Sequence, residues 1–103
     1  MIVVSNRIPV HEDHHEAFEE RFANRAADVE TMPGFLSFHL LRPISPDDPY
    51  VVMTFWESHE HYEAWINSEA FKQGHARAST LPREAFLGRP TLEVMEVISS
   101  TAT

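Results

Sequence analysis

Apolar and polar residues alternate from the start of the chain. Ile2, Val4 and Ile8 fall on one face and Val3, Ser5 and Arg7 on the other, the period of a half-buried strand over 2–9 that ends near Pro9. From about 12 to 31 the spacing becomes helical, with Phe18, Phe22, Ala26 and Val29 three or four residues apart, and "MPG" at 32–34 stops that helix. "FLSFHLLR" (35–42) and "YVVMTFWE" (50–57) are β-like and flank the proline-rich turn "PISPDDP" (43–49). Ser58 caps a helix over about 59–66, Asn67-Ser68 interrupts it, and Ser68 caps a second short helix to about 78. After a loop with Pro82, Gly88 and Pro90 comes a last strand, "TLEVMEVI" (91–98). The order β-α-β-β-α-β predicts an α+β, ferredoxin-like protomer whose antiparallel sheet is covered by helices on one face only. The other face, with Val51, Met53 and Phe55, invites a second copy.

Four residues break this pattern. Asn6 lies in the middle of the apolar face of the first strand, where an amide is costly unless it finds a hydrogen-bond partner; a nearby backbone group is the plain explanation. Arg25 projects between Phe18 and Phe22 on the apolar stripe of the first helix, with Arg21 one turn earlier at its edge. Both are read either as guanidiniums snorkelling to solvent or as a paired clamp for a carboxylate or phosphate. Trp65 ends its short helix, a position that fits core packing or a cofactor contact. His75 shares a helix face with Phe71, and Gly74 beside it removes bulk and lets something flat approach. Such a histidine is either a satisfied core residue or a metal ligand, and the neighbouring glycine favours the ligand. "HEDHHE" (11–16) resembles a metal tract, but its acids suit a helix N-terminus and read as solvated charge. His59 and His61 read as exposed, and His39 as facing a partner subunit.

Length and charge narrow the field. At 103 residues the chain reads as one domain, 1–103, with a modest core. A formal net charge of -8 with no basic run argues against nucleic acid and membrane partners. The absence of cysteine excludes disulfides, thiolate metal sites and a cysteine nucleophile. No signal peptide or bilayer-spanning segment is evident, so a cytoplasmic location is expected. GxSxG, P-loop, HExxH and GxGxxG motifs are missing, which removes support for hydrolases, nucleotide enzymes and flavin Rossmann domains.

"TFWES" followed by "AWINSEAFKQGH" closely resembles the antibiotic biosynthesis monooxygenase (ABM) superfamily, and within it the small bacterial heme-degrading monooxygenases of the staphylococcal and mycobacterial types. "RFANRAADVETMPGFLSFHLLRP" (21–43) is similar to the mycobacterial type. The similarity spans about 2–98, and the Trp-x9-His spacing is its most specific part. It implies a dimeric α/β-barrel with heme between the helices and sheet of each protomer, heme being both cofactor and substrate. It also implies O2 and an external electron donor, from an unidentified reductase or small reductant. The implied catalytic residues are Asn6, Trp65 and the iron ligand His75, with Arg21 and Arg25 near the propionates and Phe22, Phe71 and Gly74 against the ring. In this reading Asn6 hydrogen-bonds a ligand on iron, and Trp65 presses the porphyrin out of plane. The mycobacterial type spaces its Trp and His one residue closer, so staphylobilin-like, mycobilin-like and biliverdin-like products all stay open. The alternatives are a cofactor-free quinol or phenol monooxygenase of the same superfamily and a non-catalytic heme-binding or transfer protein.

Overall fold

The computed structural model describes residues 1–23, 27–78 and 81–101, except for the side chains of 27 and 74–78. Four strands, β1 (Ile2–Ile8), β2 (Phe35–Leu41), β3 (Tyr50–Trp56) and β4 (Thr91–Glu96), form one antiparallel sheet in the order β2-β3-β1-β4. Three α-helices, α1 (His15–Ala23), α2 (His59–Ile66) and α3 (Glu69–Ala78), complete the ferredoxin-like α+β fold. Among the described residues no helix is long and apolar enough to cross a membrane.

The expected continuous helix over 12–31 is corrected. The described part of that segment is a 3-10 turn at Glu12–His14, then α1, then a second 3-10 turn at Ala27–Thr31; Ala26 lies outside the described residues. Three-residue spacing satisfies a 3-10 turn as well as an α-helix, so Val29 is buried from a tighter turn than its spacing predicts. Thr31 Oγ1 donates to Asp28 O at 2.7 Å and Met32 N–H to Val29 O at 3.1 Å, which closes that turn. Gly34 then takes φ +79°, a left-handed conformation that glycine adopts without a steric penalty, and the chain enters β2. The second helical region follows the expectation closely. Ser58 Oγ accepts from His61 N–H at 3.3 Å to cap α2, and Ser68 Oγ accepts from Phe71 N–H at 3.2 Å to cap α3.

Cross-strand register decides which side chains share a face. Opposite Ile2, Val4, Asn6 and Ile8 on β1 stand Trp56, Thr54, Val52 and Tyr50 on β3. These face the helices. Among the described residues two apolar clusters form there: Ile2, Val4, Val29, Trp56 and Tyr62 in one, Ile8, Val10, Phe18 and Tyr50 in the other. The opposite face of the sheet carries Val51, Met53 and Phe55 with His39 and Met95 in register beside them. Among the described residues no helix covers that face, and Met95 is exposed.

Candidate functional site

Asn6 stands where the two apolar clusters part. Ile2 and Val4 before it belong to one cluster and Ile8 and Val10 after it to the other. Its neighbours across the sheet are Val52 on β3 and Leu92 on β4. The residue is only half-buried, and among the described residues its amide makes no hydrogen bond. The backbone partner that would have explained it is not there. An amide held half-exposed on an apolar face is a donor and acceptor available to a ligand.

Trp65 is placed by the turn that joins α2 to α3. Its carbonyl accepts from Ser68 N–H at 3.0 Å and from Ser68 Oγ at 2.6 Å, while the same Ser68 oxygen caps α3. One serine thus ties the tryptophan to the helix that carries positions 74 and 75. The Trp65 ring is half-buried at the margin of the Ile2 cluster and meets Phe71 edge-on at 5.5 Å between centroids, a favourable aromatic geometry. The two rings form an apolar wall.

On the other side, α1 supplies Arg21 and Phe22. Phe22 packs on Phe18 at 5.1 Å and stacks near Phe38 at 6.3 Å. Arg21 is half-buried, and among the described residues it meets no carboxylate. Burial pulls its pKa below the ordinary guanidinium value, because removal of water disfavours the charged form. An anion arriving at Arg21 would relieve that penalty. Arg25 lies outside the described residues. The backbone of α3 passes through Gly74 and His75, whose side-chain positions also lie outside the description. Asn6, Trp65, Phe71, Arg21 and Phe22 all belong to the helix-facing layer; the expectations for Arg25, Gly74 and His75 stay expectations.

Sequence reasoning passed over the network that anchors α1. Arg42 Nε donates to Glu19 Oε2 at 2.7 Å, a second Arg42 nitrogen reaches the other carboxylate oxygen, and the Tyr50 hydroxyl donates to the same carboxylate. The hydrogen bond from Arg42, then that from Tyr50, pull the Glu19 carboxyl down to about 2. Burial first, and then the Glu19 contact, push the Tyr50 phenol up to about 12. These residues come from α1, the end of β2 and the start of β3, so no local spacing announces them. Two open depressions of about 350 and 420 Å³ flank Arg42 and its loop, and neither includes Asn6 or Trp65.

The other histidines are held locally. His11 Nδ1 accepts from Asp13 N–H at 3.1 Å, and a His15 ring nitrogen lies 3.0 Å from Val10 O. Among the described residues no three His, Asp or Glu side chains gather into a metal-binding group. His39 contacts Ser37 and Phe55 on the uncovered sheet face. His59 is exposed and faces Glu63 at 3.1 Å. His61 corrects the expectation of exposure: it is half-buried, with its ring over Gly34 and its Nδ1 2.7 Å from Ser58 Oγ. Only the missing Cβ of Gly34 makes room for it.

Residues 1–77 match the antibiotic biosynthesis monooxygenase family. A heme oxygenase (mycobilin-producing) from Mycobacterium tuberculosis is 46% identical over 69 residues, 67% of this chain and 66% of that protein, so the match spans about two thirds of the relative's length. A heme-degrading monooxygenase from Bacillus cereus is 36% identical over 84 residues, 80% of this chain and 78% of that protein. Among solved structures, the M. tuberculosis heme-degrader MhuD with two hemes bound in its active site superposes with a TM-score of 0.78 at 37% identity, covering 99% of this chain and all of that one. The chain belongs to the antibiotic biosynthesis monooxygenase family.

Proposed function

We infer that this protein is a heme-degrading monooxygenase, which opens the porphyrin ring of its heme substrate and frees the iron. The observation that carries the reading is the Asn6 amide, half-buried and without a hydrogen bond among the described residues, on the helix-facing side of the sheet between the members of two apolar clusters, in a chain whose relatives are heme-degrading enzymes. The residues present suit a porphyrin. Its flat apolar face needs aromatic walls, which Trp65, Phe71 and Phe22 offer, and its propionates need a cation such as the half-buried Arg21.

Each side chain has a distinct task in this reading. His75 on α3 supplies a neutral imidazole to the substrate iron. Arg21, with Arg25 as its companion, fixes the propionate edge, and Gly74 keeps the helix surface low against the ring. Trp65, held by the Ser68 turn, would lie against the macrocycle and supply an apolar contact to its face. Asn6 acts as hydrogen-bond donor to the incoming oxygen, a role that counts most in the transition state. Bound heme supplies both the redox-active iron and the carbon that is oxidised, with O2 and an external electron donor as co-reactants. A cytoplasmic site would give ready access to such a donor. We assign the uncovered sheet face with Val51, Met53 and Phe55 to pairing with a second copy.

The test begins with hemin added to the purified protein. A Soret band distinct from that of free hemin is expected, then loss of that band and release of chelatable iron when ascorbate is added in air. Light scattering on the loaded protein should give twice the protomer mass. Absence of a heme complex would favour the cofactor-free monooxygenase, a stable complex without turnover the carrier, and a monomer would reject the pairing.

A further inference from the structure

Among the described residues the helix layer stops short of β4. On β1 the helix-facing Val4 is buried and Asn6 half-buried, yet their neighbours in register on β4, Val94 and Leu92, are 40% and 56% exposed. Leu92 stands directly opposite Asn6 and Val94 directly opposite Val4, so both point to the same side of the sheet as the unpartnered amide. A second copy paired on the Val51, Met53 and Phe55 face would sit on the other side and leave them bare. An exposed apolar strip beside an unpartnered polar side chain marks a candidate ligand surface.

We propose that Leu92, with Val94 beside it, forms the outer floor of the substrate cleft and receives the apolar edge of the porphyrin. The inference rests on the heme reading above. Protoporphyrin is amphipathic: propionates occupy one edge, and vinyl and methyl groups occupy the other. With its anionic edge at Arg21 and its centre near Asn6, the ring needs an apolar surface for the remaining edge, and Leu92 is the exposed apolar side chain adjoining Asn6 in register. Because Leu92 is exposed in the free protein, its replacement leaves the core intact, so an effect on binding is not an effect on folding.

The test titrates hemin into wild type, Leu92→Asn and the control Ile98→Asn, at a side chain 92% exposed beyond the end of β4. The same series is repeated with deuterohemin, in which hydrogens replace the two vinyl groups. Leu92→Asn should weaken hemin binding about tenfold, the scale for losing partial burial of a leucine, with an unchanged melting temperature and unchanged mass by light scattering. The loss should shrink severalfold with deuterohemin, and Ile98→Asn should bind like wild type. Equal affinity of wild type and Leu92→Asn overturns the proposal, as does an equal loss for both porphyrins. A change of oligomeric mass in Leu92→Asn assigns the strip to a second copy instead. If wild type itself binds no hemin, the heme reading falls and this inference with it.

Discussion

An amide set among aliphatic side chains without a partner costs free energy that a leucine in its place would not. Asn6 is half-buried on such a face and was visible in the sequence because it breaks the alternation of its strand, whereas Arg21 was visible only as the neighbour, at the edge of the helical stripe, of Arg25. Glu19 was not, since its value depends on two partners brought in from other elements. With its carboxyl lowered from 4.5 to about 2 by Arg42 and Tyr50, Glu19 binds its proton less readily in the folded state. Its contribution to stability is therefore complete above about pH 4.5 and disappears as the pH falls towards 2. In Glu19→Gln, urea denaturation should show lower stability than wild type at pH 7 and a flatter decline between pH 4.5 and 2. Parallel pH curves for the two proteins would show that the network contributes nothing.

Element boundaries were legible wherever a residue with a backbone restriction marks them. Ser58, Ser68, Pro33-Gly34 and the prolines of 43–49 bracket their helices and strands much as expected. The long first helix was not legible, because the spacing of apolar residues alone cannot tell a 3-10 turn from another helical turn. Packing between elements was hidden for a similar reason. Gly34 reads as a helix stop, but its second duty is to seat α2, since a Cβ there would lie 2.2 Å from His61 Cγ. That contact sets the depth of the helix that carries Trp65. Gly34→Ala should destabilise the protein by roughly 1–3 kcal/mol for each of backbone strain and overpacking, measured by denaturant unfolding. Adding His61→Ala should recover the overpacking share and leave the strain. A Gly34→Ala protein as stable as wild type would contradict the close packing of β2 on α2.

At the scale of the molecule, one sheet serves two surfaces. Its helix-facing side carries two clusters of described apolar residues on either side of Asn6, and its other side carries Val51, Met53 and Phe55, the face proposed to pair with a second copy. The element order was enough to predict this division, because four strands and the helices between them can cover one face only. The division of the described apolar residues into two clusters was not predictable, since it depends on where α1 and α2 settle along the strands. The account makes Asn6 the residue that separates holding heme from opening it. Wild type and Asn6→Ala, each loaded with hemin, should therefore be compared for Soret decay with ascorbate in air, with catalase present to remove free peroxide. Asn6→Ala should bind hemin with near-wild-type affinity and spectrum and lose ring opening by about a hundredfold or more, the scale for removing one positioned hydrogen-bond donor. Degradation by Asn6→Ala at the wild-type rate would contradict the account.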